Sequence, residues 1–412
     1  MNIPPYINSF ERHAFGLFLH YGLYSLISEG EWVSHHHKLN RAEYNTLTRR
    51  FTAEDFKPLE MAAWAKSCGL RYLCLTTRHH DGFSLYDTRG LNTFDAPHSA
   101  AGRDLVAEFV EGCRAHDLGV FFYHTTLDWN ETSFDQDWKS YLAYLRDSVE
   151  ILCTQYGKID GLWFDGNWAR RERDWEEDTL YGMIRSHQRD CMIINNSSLA
   201  ALGAKGHPEL DAVTFEQGRP TARQFKEGEK YVAAEMCETI NSHWGTARHD
   251  FSHKSPAELI TSLASCRRVR ANFLLNIGPL GSGAIPAYEK ATLDLVGEWI
   301  RLAGPVIYEG VPTALVTRGD DFVLQMDGEY FYFCHHLPIR DNMHLAHGKP
   351  RGDGWQTIGG DSLPAIRKVE WCDTGEPLAY TQDTKEGVLA FHATPNPYGH
   401  QNIVRVARLI PA

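Results

Sequence analysis

IDGLWFDG, residues 159–166, is an apolar run without polar alternation that ends on a carboxylate, Asp165. A strand with one wet face alternates apolar and polar side chains, whereas a strand covered on both faces does not. The run therefore reads as a buried strand of an α/β sheet. Seven other runs share its character: FGLFLHYG (15–22), YLCLTT (72–77), VFFYHTT (120–126), MIINN (192–196), AVTFE (212–216), VAAEMC (232–237) and FLLNIG (273–278). Amphipathic helical patterns lie between them at 56–67, 104–117, 137–156, 172–188, 255–268 and 286–303. Eight such alternations predict a closed (β/α)8-type barrel rather than a doubly wound sheet. No Gly-x-Gly-x-x-Gly follows the first run, so a dinucleotide-binding fold has no support. Segments 197–211 and 217–231 are irregular, and at least one barrel helix is expected to be missing or replaced by a loop near strands five to seven.

Beyond about residue 310 the pattern changes to short β-type runs punctuated by Gly, Asp, Asn and Pro, as in TALVTRGDDFVLQMDGEYFYFCHHL. The predicted organisation is a barrel over residues 1–308 and an all-β sandwich over 312–412. With 43% hydrophobic and 23% charged residues in 412, the chain has the composition of an ordinary globular protein. Its formal net charge of -12 argues against nucleic acid or an anionic membrane as partner. The start, MNIPPYINSFERHAFG, lacks a basic region followed by an apolar one, and no run of 18 apolar residues occurs. The nine cysteines form no CxxC pair and several sit inside apolar runs, so reduced, buried thiols are expected. Together these features predict a cytoplasmic protein; a trimmed leader and a homo-oligomer stay open.

Barrel enzymes carry their chemistry at the C-terminal ends of strands. The polar residues there are His20, His79, His80, Tyr123, His124, Asp165, Asn195, Asn196, Glu216, Glu235 and Asn276, with Trp32, Trp163 and Trp244 nearby. That mixture suits a carbohydrate, whose hydroxyls need fixed donors and acceptors and whose C–H faces need aromatic rings. A carboxylate held at the end of an apolar strand is well placed to attack an anomeric carbon, and Asp165 is that candidate; the bland alternative is an Asp that caps the next loop. Neighbouring histidines on a strand point to opposite faces, so His79 and His80 read as hydroxyl-binding groups rather than as ligands of one metal. His35, His36 and His37 read as a solvated or partly structural loop, with sugar contact as the second reading. Glu31 and Trp32 read as a polar and aromatic wall.

These motifs resemble the α-L-fucosidases of glycoside hydrolase family 29. The resemblance runs through FGLFLHYGLYS (15–25), GEW (30–32), TTRHHDGF (76–83), RDLV (103–106), LWFDG (162–166), IINN (193–196), TFEQ (214–217), EMCETINSHWG (235–245) and NFLLNIGP with GAIP (272–286), or about the first 305 residues. It implies a retaining mechanism on α-L-fucosides without metal or organic cofactor, Asp165 as nucleophile, and a C-terminal β-sandwich. It implies sugar contacts from His20, Glu31, Trp32, His79, His80, Tyr123 and Trp163. The acid/base is not settled by the resemblance. Glu216 ends its run before a Gly- and Arg-containing loop and is the preferred candidate; Glu235 lies mid-run, fits a buried role orienting the pocket, is counted among the substrate-binding residues, and is the alternative acid/base. The sequence departs from the family pattern at Tyr21 (usually Trp), Ser197 (often Arg), Phe215 (usually Pro) and Ala234 (commonly Trp). Three other readings stay open: a non-catalytic fucose-binding protein on a decayed barrel, a metal-dependent barrel hydrolase, and an enzyme acting mainly as a transfucosidase.

Overall fold

The computed structural model describes residues 3–196, 201–340 and 354–412. Eight parallel strands close into a barrel in chain order: β1 (Phe15–Leu19), β2 (Tyr72–Arg78), β3 (Gly119–Thr125), β4 (Gly161–Asp165), β5 (Met192–Asn195), β6 (Ala212–Glu216), β7 (Ala233–Thr239) and β8 (Asn272–Ile277). All eight predicted runs are strands. Helices Pro58–Ser67, Leu105–Ala115, Trp138–Gln155 and Glu177–His187 follow β1 to β4, and Pro256–Arg268 and Ala287–Ala303 follow β7 and β8. Among the described residues no helix follows β5 or β6, which is where the irregular segments predicted a gap. The seam between those two strands is also thin, with Ile194 and Ala212 its single paired position.

The chain divides into two compact units, Met1–Lys254 with Asn272–Thr292, and Ser255–Ala271 with Leu293–Ala412. In the first, side chains of alternating strand positions fill the barrel: Phe18, Tyr72, Cys74, Phe121, Tyr123, Trp163, Met192, Ile194 and Leu274. Large rings need small partners. A Cβ on Gly16 would stand 2.2 Å from the Tyr72 ring, and one on Gly161 would stand 2.1 Å from the Phe121 ring. Helix Pro5–His13, absent from the predicted elements, presents Ile7 and Phe10 to this core. Asn272 Nδ2 donates to the Phe10 carbonyl at 2.7 Å, which ties the helix to β8.

The second unit contains two antiparallel sheets. One has five strands in the order β13 (Ile366–Trp371), β16 (Val404–Pro411), β11 (Glu329–His335), β10 (Phe322–Met326) and β9 (Val311–Pro312). The other orders β12 (Gly354–Gly359), β15 (Val388–Ala393) and β14 (Tyr380–Asp383). Tyr332, Trp371, Leu389, Phe391 and Leu409 pack between them. The Arg405 guanidinium lies 4.2 Å from the Trp371 ring centre and pairs with Asp373 at 3.0 Å, so this buried cation is matched. All nine cysteines are free, eight of them buried. Among the described residues no helix is long and apolar enough to cross a membrane.

Candidate active site

Side chains alternate across a strand, so the inward parity at each C-terminal end decides what faces the barrel mouth. On β4 that parity carries Trp163 and Asp165; on β3 it carries Phe121 and Tyr123. On β6 it ends at Glu216. Just past β1 and β5 it reaches His20 and Asn196. All of these except Phe121, which lies in the barrel core, enclose a pocket of about 280 Å³ with Phe18, Trp32, His79, His80, Trp168 and Trp244. Gly166, next to the carboxylate, turns the chain at a φ of 122°. A Cβ there would meet Leu127 N at 2.6 Å, so the strand can leave Asp165 in this position only through glycine.

Both oxygens of Asp165 are held. Trp168 Nε1 donates to Oδ1 at 2.8 Å and Tyr123 OH donates to Oδ2 at 3.2 Å. His80 Nε2 stands 3.5 Å from Oδ2. The second carboxyl, Glu216, receives Asn196 Nδ2 on Oε2 at 2.6 Å. Burial, then the neighbouring charge of Asp165, pushes its pKa up to about 7. One pocket thus contains a carboxylate supplied with donors and a carboxyl held as an acid to near neutrality, the division of labour that a retaining glycosidase needs.

The imidazoles have defined tautomers. Asn276 Nδ2 donates to the Trp244 carbonyl at 2.7 Å, so its Oδ1 accepts from His20 Nδ1 at 2.6 Å. Burial pushes the His20 pKa down to about 3. His20 is therefore neutral, with Nε2 free to accept from a hydroxyl. Thr125 Oγ1 donates to the Leu127 carbonyl and accepts from Leu127 N, so the proton in its 2.6 Å bond to His80 sits on Nδ1. His80 Nε2 then faces Asp165 Oδ2 at 3.5 Å across the pocket.

Two expectations need correction. His79 and His80 do not point to opposite faces. The strand ends at Arg78 after an irregularity in its pairing between Thr76 and Arg78, so both rings follow it in a turn, 4.2 Å apart, and both line the pocket. Glu31 and Glu235 do not line it. Glu31 accepts from Trp244 N at 3.0 Å and Gly245 N at 2.8 Å and so fixes the loop that delivers the Trp244 ring. Glu235 accepts from Tyr72 OH at 2.6 Å and Trp163 Nε1 at 2.8 Å, inside the barrel. Burial raises its pKa to about 7 as well, but both of its oxygens are engaged below the pocket. Trp168, which touches the nucleophile, lies in a 3-10 helix, Asn167–Arg170, too short to show a periodic signal in the sequence. Exposed His35 stacks on Trp129 at 4.8 Å. Among the described residues no group of three His, Cys, Asp or Glu side chains is placed to hold a metal ion.

The sequence profile of one family, described as Alpha-L-fucosidase, matches residues 2–305. The chain belongs to the α-L-fucosidase family. Tissue alpha-L-fucosidase of Rattus norvegicus is 24% identical to it over 92% of this chain and 84% of the relative. Its counterpart from Homo sapiens is 26% identical over 74% and 69%. Among solved structures, alpha-L-fucosidase isoenzyme 1 from Paenibacillus thiaminolyticus is 26% identical, with a TM-score of 0.82 over 98% of each chain.

Against the α-L-fucosidase pattern, three of the four departures lie away from the pocket. Tyr21 stacks on Phe56 at 5.3 Å and is buried. Phe215 has the opposite parity to Glu216 and packs where a Cβ on Gly203 would stand 2.3 Å from its ring. Ala234 is buried with the opposite parity to Glu235. Ser197 lies outside the described residues.

Proposed function

We propose that the protein is a retaining exo-α-L-fucosidase that cleaves terminal α-L-fucosyl linkages of oligosaccharides or glycoconjugates, with Asp165 as nucleophile and Glu216 as acid/base. The observation that carries this reading is the pairing of a donor-supplied carboxylate and a neutral-leaning carboxyl in one small aromatic-walled pocket. In the first step an Asp165 oxygen bonds to the anomeric carbon, the glycosidic C–O bond breaks, and Glu216 gives its proton to the leaving oxygen. In the second step Glu216 takes a proton from water as the water oxygen displaces Asp165, which restores both residues. Transfer to a sugar hydroxyl differs only in the acceptor. Phe18, Trp163 and Trp244 supply the apolar wall that a deoxysugar with a methyl group requires.

The experiment is hydrolysis of an aryl α-L-fucoside beside a panel of fucosylated oligosaccharides, with the first-formed anomer followed by NMR. α-L-Fucose should appear before mutarotation. Initial release of the β-anomer contradicts retention, and binding without turnover leaves the fucose-binding reading in its place.

A further inference from the structure

Two hydrogen bonds in series hold the Glu216 carboxyl from one side, across the thin seam of the barrel. The seam has one paired position, Ile194 with Ala212. Two residues further along each strand direction stand Asn196 and Thr214, both buried. Thr214 Oγ1 donates to Asn196 Oδ1 at 2.9 Å, and Asn196 Nδ2 donates to Glu216 Oε2 at 2.6 Å. Thr214 and Glu216 are two apart on β6 and so share a face, and the amide of Asn196 bridges them.

An amide has an acceptor end and a donor end, and its partners decide which end points where. Turned over, Asn196 would bring Oδ1 against Glu216 Oε2, an approach that is repulsive unless Oε2 carries a proton. The turn would also take from the buried Thr214 hydroxyl the acceptor it now has, and an unmade buried bond is costly. The Thr214 hydroxyl therefore selects the orientation in which Nδ2 faces the carboxyl. Oε2 is then an acceptor in both protonation states of Glu216. Among the described residues no group bonds to Oε1, and Glu216 lines the catalytic pocket.

We infer that Asn196, oriented by Thr214, is a positioning residue that reserves Glu216 Oε2 and leaves Oε1 as the oxygen through which the catalytic proton passes. The inference rests on the reading of Glu216 as acid/base given above. In the first step the Oε1–H bond breaks as the glycosidic oxygen takes the proton, and the bond from Asn196 to the new carboxylate becomes charge-assisted. In the second step the proton from water returns to Oε1. The same bond favours the ionised form, so it acts against the burial and the charge of Asp165 that raise the Glu216 pKa.

The test removes the hydroxyl and keeps the shape. Thr214→Val, Thr214→Ser, Asn196→Ala and Glu216→Ala are compared with the parent in kcat/KM against pH, on a fucoside with a sugar leaving group and on one with a strongly acidic phenol. In Thr214→Val the amide can turn and hold the proton on Oε2. The alkaline limb for the sugar fucoside should move up by about one pH unit, the equivalent of one hydrogen bond to a charged group. Its plateau should nevertheless fall about tenfold, and further than that of the phenol. Asn196→Ala should move the limb the same way, which keeps the test open if Thr214→Val does not fold, and Thr214→Ser should restore the parent's profile. An unmoved limb with an equal loss on both substrates, or Thr214→Ser behaving as Thr214→Val, overturns the inference. A limb that persists in Glu216→Ala instead sinks the acid/base reading, and the inference with it. If the parent shows no turnover, carbon-13 NMR titration of the Glu216 carboxyl replaces the profile. Its midpoint should rise by about one pH unit in Thr214→Val and Asn196→Ala, and an unchanged midpoint refutes the role of the pair.

Discussion

Removing Glu216 separates its role from that of Glu235. Burial and the charge of Asp165 raise the Glu216 pKa from 4.5 to about 7. A rise of that size favours the neutral form by about 3 kcal/mol. At pH 6 such a group is about 90% protonated, whereas an unperturbed one is about 3% protonated, a gain of roughly 30-fold in competent acid. Glu216→Ala should therefore lower kcat/KM by about 10²–10⁴ on fucosides whose leaving group is a sugar hydroxyl. Fucosides with a strongly acidic phenol leave without protonation and should keep most of their kcat/KM. Their kcat should still fall, because the second step has lost its base, and azide should restore it by forming fucosyl azide. The alkaline limb of the parent's kcat/KM profile, expected near pH 7, should vanish in the variant. Glu235→Ala should instead lower all substrates alike, since Glu235 holds Trp163 and Tyr72 from below. A uniform loss in Glu216→Ala, or a leaving-group pattern in Glu235→Ala, refutes the assignment.

Asn276→Ala frees His20 Nδ1 and removes the tautomer that leaves Nε2 as an acceptor. It should cost about tenfold in kcat/KM for an aryl fucoside, or roughly 1.4 kcal/mol, and equal kinetics would contradict the tautomer argument. Gly166→Ala combines a φ of 122° with a 2.6 Å approach to Leu127 N, and it should lower Tm and abolish turnover; an unshifted melting curve would argue against that strain. Glu289 is buried, accepts from Gly278 N, and has its pKa pushed up to about 8 by burial. Because its folded pKa lies above the unfolded value, its contribution is intact below about pH 4.5 and is lost as pH rises through about 8. Glu289→Gln should therefore match the parent in urea denaturation near pH 4.5 and exceed it at pH 8.5–9, by a few kcal/mol at most.

The barrel was legible because strands covered on both faces leave continuous apolar runs, and all eight runs became β1 to β8. Helix Pro5–His13 was not, because its two core residues, Ile7 and Phe10, make too short a stripe to stand out. Asp165 and Glu216 were legible as carboxylates ending apolar strands. What joins them was not: the bond from Asn196 to Glu216 spans 20 positions, and that from Tyr123 to Asp165 spans 42. The histidine pair was misjudged because an irregularity in pairing near the end of β2 moves both rings into a turn, where strand alternation no longer applies. Glu31 sits in the predicted motif, yet its carboxylate supports the backbone at Trp244 instead of lining the pocket. Motif membership alone does not distinguish a residue that lines the pocket from one that holds the wall in place.

Trapping the covalent intermediate tests the central claim most directly. A fucoside that is slow to deglycosylate but has a good leaving group is incubated with the protein, and the labelled peptide is sequenced by mass spectrometry. One fucosyl adduct should form on Asp165, inactivation should be time-dependent, and folded Asp165→Asn should neither label nor turn over at more than a trace of the parent's rate. A label on another carboxylate, or near-normal turnover by Asp165→Asn, contradicts the account.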